Sequence, residues 1–191
     1  MGSAAGGGHL ALLDHWLITK PHMLDASVVR DACAAGQVEV VQRLWEHKDA
    51  DTLFTATASD GSATCLTAAI LRGHTGLVTL LCQRFPQLLT QPTKKAQWGQ
   101  AKEVAGGFLP LERACQQGRI DVVTALLDAK ADVTAVAEGS QALTSAVGRA
   151  PASMVARLLD AKADPNSKDA VRECTRWAGD HTMQGGAAIV H

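Results

Sequence analysis

Tyrosine is missing from the 191 residues and phenylalanine occurs three times, so a core here has to be built from Leu, Val and Ala rather than from large rings. Charge is nearly balanced, with a net value of -1 and a pI near 6.6. That leaves no broad basic footprint for a nucleic-acid backbone, and the pair Lys94-Lys95 is too short to supply one. No apolar run approaches the roughly 20 residues a membrane-spanning helix needs. The five cysteines are odd in number and lack paired spacing, which argues against a secreted disulfide framework and favours a reducing compartment. Catalytic signatures are also missing. There is no phosphate-cradling glycine loop, no His-Glu-x-x-His and no Gly-x-Ser-x-Gly. The adjacent pairs Asp14-His15 and Asp180-His181 point in different directions on a helix and make no dyad. Cys174 and His181 lack further ligands at metal spacing. The expectation is a non-enzymatic chain with no metal and no cofactor.

What is present is a phrase used four times. An alanine slot falls at Ala32, Ala69, Ala114 and Ala146, and four residues on comes a turn slot at Gly36, Gly73, Gly118 and Ala150. A second apolar segment follows each turn: Val38 to Leu44, Leu77 to Leu81, Ile120 to Leu127 and Met154 to Leu159. The exit Leu126-Leu127-Asp128-Ala129-Lys130-Ala131-Asp132 returns as Leu158-Leu159-Asp160-Ala161-Lys162-Ala163-Asp164, which points to duplication. Each slot has a physical reason. Alanine lets neighbouring helices approach closely at the least cost in helix propensity. Glycine takes the left-handed conformation that ends the first helix. Ala150 makes a weaker turn, with Pro151 serving as stop and as the start of the next helix.

The openings Leu109-Pro110-Leu111-Glu112-Arg113-Ala114 and Thr64-Cys65-Leu66-Thr67-Ala68-Ala69 resemble the ankyrin repeat, whose first helix begins T-P-L-H-x-A. The alanine gaps of 37, 45 and 32 residues, taken between positions 32, 69, 114 and 146, bracket the family period of 33. The resemblance implies an all-α solenoid of paired antiparallel helices joined by hairpin-like loops. It also implies a histidine after the turn, here His74, bracing the turn by hydrogen bonds. Lys130 and Lys162 stand where the family usually has glycine, which leaves the geometry of those hairpin tips open. Cys33 and Cys115 follow the alanine slot and Cys82 aligns with Leu127. All three occupy packing positions, where cysteine behaves as a small buried hydrophobe.

The expected organisation is a flexible tail over 1–8, a capping helix within 9–25 and a repeat array over 26–180, ending in a tail at 181–191. Within the array the repeats fall near 26–58, 63–86, 108–134 and 140–166, with a degenerate cap at 167–180 carrying a stripe of Val171, Cys174 and Trp177. In the capping helix Leu10, Leu13, Trp16 and Leu17 mark one face. Met1 to Gly6 begins like an N-myristoylation signal but has Gly6 where Ser or Thr is required. An intracellular, cytoplasmic setting is expected, with organelle import after loss of a transit peptide as the other possibility.

The long gap between Ala69 and Ala114 exceeds the family period by 12 and places an insertion at about 84–107. Either it forms a finger with Trp98 as a binding anchor, or Phe85, Leu88, Leu89 and Trp98 fold back over the stack. Repeat stacks offer a concave binding face. By register, the resemblance puts Leu71, Arg72, Gln116, Gln117 and Arg149 on the groove side of the first helices and Phe108 just before one of them. The implied function is binding another protein through this groove and the inserted loop. The alternative is a structural or assembly subunit held in a larger complex, and a third possibility is a fragment of a larger enzyme or channel.

Overall fold

The computed structural model describes residues 2–20, 24–57, 63–94, 107–135, 142–146 and 151–165. The stack begins with α1 (Gly2–Gly6) and α2 (Leu10–Thr19), followed by α3 (Ala26–Ala35), α4 (Val38–Trp45) and the short α5 (Ala50–Thr55). Then come α6 (Cys65–Arg72), α7 (Thr75–Arg84) and a 3-10 segment over Pro86–Thr90. A two-residue pair, β1 (Thr93–Lys94) and β2 (Gly107–Phe108), precedes α8 (Pro110–Gln116), α9 (Ile120–Asp128), α10 (Ala142–Ala146) and α11 (Ala152–Asp160). First helices stack in the order α1, α3, α6, α8, α10, and second helices pack as α7 on α9 on α11.

The starts and stops follow from local chemistry. Asp25 caps α3 by accepting from the Ser27 and Val28 backbone N–H groups at 3.0 and 3.2 Å. Thr64 caps α6 through the Thr67 N–H at 3.2 Å. In α8, whose cap residue Leu109 has no side-chain acceptor, the Glu112 carboxylate reaches back to the Leu109 N–H at 2.7 Å. Gly36, Gly73 and Gly118 end their helices at φ of 71, 77 and 67°, the region where a side chain is strained. Ala32, Ala69, Ala114 and Ala146 are fully buried where first helices meet.

The left-handed tips persist without glycine. Lys130 and Lys162 adopt φ of 64 and 70°. Around them Ala131 N–H reaches Leu126 O at 2.9 Å and Ala163 N–H reaches Leu158 O at 3.0 Å, the closing bond of a Schellman cap. The lysines therefore change the local cost and not the geometry.

The N-terminus differs from the expected flexible tail. Residues 2–6 form α1, with Ala4 and Ala5 buried against α3. Gly8 lies at φ 73°, and His9 N–H bonds Ala4 O at 3.0 Å, as Gln37 bonds Ala32 at 3.0 Å and His74 bonds Ala69 at 3.1 Å. Ala4, Gly8 and α2 thus occupy the same slots as the later copies, so α2 is the second helix of an additional short repeat. The shared dipeptides Gly8-His9 and Gly73-His74 carried that signal. Glycines at positions 2, 6 and 7 hid it, because glycine disfavours helix by about 1 kcal/mol per residue and only packing on α3 holds α1. On α2, Leu13 is buried, while Leu10 and Leu17 lie partly buried against the core.

The first part of the insertion folds back. Phe85 and Leu88 are fully buried and Leu89 packs against the core. Phe85 stacks on Phe54 of α5 at 4.9 Å between centroids, with Trp45 edge-on at 6.4 Å. The chain then leaves and re-enters as a hairpin root, pairing Thr93 with Phe108 and Lys94 with Gly107 in antiparallel fashion. Trp98 lies outside the described residues.

Candidate protein-binding surface

The first helices α1, α3, α6 and α8 stack side by side and each is followed by a left-handed glycine, Gly8, Gly36, Gly73 or Gly118, so their faces turned away from the second helices line up along the stack. The two residues before each turn repeat along it: Ala34 and Ala35 on α3, Leu71 and Arg72 on α6, Gln116 and Gln117 at the end of α8. Leu71 is 39% exposed, one of four large apolar side chains so exposed among the described residues, with Leu12, Ile18 and Leu159. Arg72 and Gln117 are exposed and Gln116 is half-buried. The fourth copy would contribute Arg149, which lies outside the described residues. Leu71 and Arg72 thus stand at the end of α6, Gln116 and Gln117 at the end of the neighbouring α8, and Phe108 in β2 just before α8.

Phe108 is half-buried, and the Arg113 guanidinium sits 4.6 Å above its ring, a cation–π contact. Burial lowers the Arg113 pKa, with Glu112 working against that shift. The Arg113 Nε is buried without a hydrogen-bond partner. Arg113 carries no group-specific sequence motif and escaped the sequence reading.

A ladder of side chains runs along the turn edge of this surface. Gln37 covers Gly8, His74 covers Gly36 and Arg119 covers Gly73, each close enough that a Cβ on the glycine would meet it. Gln37 Nε2 donates to Gly6 O at 3.2 Å, and His74 Nε2 lies 3.0 Å from Ala34 O. His74 therefore braces the preceding repeat's turn rather than its own. Among the described residues nothing lies within 4 Å of a Cβ on Gly118. The post-turn residue of the next copy is Pro151, which has no donor to offer.

Among the described residues the thiols are packed away. Cys33, Cys65, Cys82 and Cys115 are free and buried. Burial foremost pushes the Cys82 and Cys115 thiols up to about 12, and a hydrogen bond with Cys65 together with burial raises Cys33. Thiols held protonated are poor nucleophiles and ligands. Among the described residues no cluster of three His, Cys, Asp or Glu is arranged for a metal, and no helix is long and apolar enough to cross a membrane. An open cleft of about 320 Å³ between α2 and α4 is lined by Leu10, Asp14, Glu39, Gln42, Arg43 and Glu46. Arg43 bridges Asp14 at 2.8 Å and Glu46 at 2.6 Å across it.

A family model of ankyrin repeats in three copies matches residues 29–137. The chain belongs to the ankyrin-repeat family. The match spans α3 through α9, and the ankyrin stack continues structurally on both sides, through α1 and α2 before it and through α10 and α11 after it. Ankyrin repeats generally act as protein–protein interaction modules, and the family is typically non-enzymatic. No curated protein sequence matches the chain.

Proposed function

We propose that this ankyrin stack is a binding module whose protein partner lies across the concave face of α3, α6 and α8. The observation that carries this is Leu71, 39% exposed and, of the exposed large apolar side chains among the described residues, the one on a first helix, with Arg72, Gln116 and Gln117 at the neighbouring helix ends. A large apolar side chain rimmed by polar ones is the usual composition of a recognition patch. Trp98 and Arg149 are assigned to the same partner from the neighbouring inserted loop and fourth repeat. A reducing intracellular compartment goes with this proposal, supported by the free buried thiols.

The test uses peptides selected from a random display library on the intact protein. Bound peptides are expected to shift the amide resonances of residues 71, 72, 116 and 117, and to lose affinity for a Leu71→Asp/Gln117→Arg variant whose helical circular dichroism is unchanged. Shifts confined to α4, α7 and α9 would overturn the groove assignment.

A second reading, a subunit held permanently in a larger assembly, is favoured by the outer face of α2. Leu12 is 42% exposed, although it occupies the slot where Val40, Leu77, Val122 and Met154 are buried. Ile18 is 82% exposed on the same helix. Light scattering across a concentration series discriminates the two: a monodisperse monomer supports the transient binder, and concentration-dependent association supports the subunit.

A further inference from the structure

The chain is slightly acidic overall, yet the middle of the groove is cationic. Arg72 is exposed at the end of α6 and takes part in none of the ion pairs among the described residues. The stack brings Arg119, 47 residues further along, to the neighbouring position: its guanidinium lies against the backbone of Gly73, the residue after Arg72.

The carboxylates nearby are committed elsewhere or stand apart. Glu112 accepts from the Leu109 N–H at 2.7 Å. Asp121 accepts from the Thr75 hydroxyl at 2.8 Å and balances Arg119 only in part. Asp31 sits one repeat away on α3. Solvated lone arginines are ordinary on protein surfaces. Arg72 and Arg119 placed side by side, next to an exposed leucine in a net-negative chain, form a surface that repels basic segments and steers acidic ones. On the α3 side, Ala34 and Ala35 leave room for a partner backbone to come close.

We infer that the centre of the groove recognises an acidic segment of a partner protein, with a carboxylate paired to Arg72 beside Arg119 and an apolar side chain laid on Leu71. This rests on the groove being the binding face. The carboxylate gives specificity and association rate, and the apolar contact supplies the burial.

The display selection on the intact chain tests it through the charge of the selected peptides. Peptides with net negative charge and at least one apolar residue are expected. By fluorescence anisotropy they should bind about tenfold more weakly to Arg72→Glu, an intermediate amount more weakly to Arg72→Gln, and less well as salt rises from low to high. Arg72 is exposed, so both variants should keep the native melting temperature, and the neutral one decides the matter if charge reversal disturbs folding. Neutral or basic peptides that still shift the groove resonances would overturn the acidic preference and leave the groove standing. Peptides that map to another face would remove both. A selection yielding nothing above background, or affinity indifferent to both Arg72 variants, also overturns the inference.

Discussion

At the residue scale, the glycines of the turns differ in what surrounds them, and this makes their roles separable. Gly36 and Gly118 share a left-handed backbone. A Cβ on Gly36 would come within 2.6 Å of the His74 ring, whereas one on Gly118 would meet nothing within 4 Å among the described residues. Gly118→Ala should cost about 1–2 kcal/mol from backbone strain alone. Gly36→Ala should cost about 1 kcal/mol more, because His74 must leave its hydrogen bond to Ala34 O. Urea unfolding of the two variants measures the difference, and combining Gly36→Ala with His74→Ala should abolish the excess. Asp25 gives a pH-dependent counterpart. Its hydrogen bond from the Ser27 hydroxyl first, aided by backbone N–H groups and opposed by partial burial, holds its carboxyl below the usual range. A depressed native pKa adds stability above the unfolded value of about 3.9, and that stability fades as pH falls through the native value. Asp25→Ala should therefore cost about 1 kcal/mol at pH 7 and progressively less as the pH is lowered below about 4, which denaturation at a series of pH values would follow.

At the element scale, period and spacing made the first three repeats legible, because close helix contact admits only alanine at one slot and a left-handed turn favours glycine four residues on. α5 was not legible. It is six residues long, too short for a helical period to declare itself, and it is held by the stacking of Phe54 on Phe85, 31 residues apart. The insertion was legible as an excess of length, but its division into a covering portion and a hairpin root depended on which apolar residues found space on the stack. Thr93 and Phe108 are paired, and the Thr93 hydroxyl donates to Phe108 O at 3.3 Å, so the two ends of 95–106 stand side by side. Replacing 95–106 with Asn-Gly, a turn suited to a tight hairpin, should keep the helical circular dichroism and lower the melting temperature by no more than a few degrees. If selected peptides bind this variant as they bind the parent, the groove suffices. If affinity falls, the loop carrying Trp98 contributes to it.

At the scale of the whole molecule, a stack in which each repeat touches only its neighbours has stability close to a sum of repeat and interface terms. α1 and α2 are therefore expected to contribute as a repeat, through the buried Ala4, Ala5 and Leu13, rather than as a dispensable tail. Removing residues 1–20 should leave a folded protein, with a lower urea midpoint and an m-value reduced by roughly a tenth, in keeping with the smaller surface exposed on unfolding. An unchanged midpoint would show that the segment adds nothing to the stack.

The sequence by itself determined the repeat architecture, the turns at Gly36, Gly73 and Gly118 and the place of the insertion, because these depend on local sterics repeated at a fixed interval. Only the tertiary structure decided the rest. It turned a glycine-rich opening into a first repeat, since packing on α3 outweighed a poor helix propensity. It laid Gln37, His74 and Arg119 over the turns of preceding repeats, and set Arg119 beside Arg72 at a separation of 47 residues. Such neighbours are produced by the stacking of one copy on the next, and no local pattern in the chain encodes them.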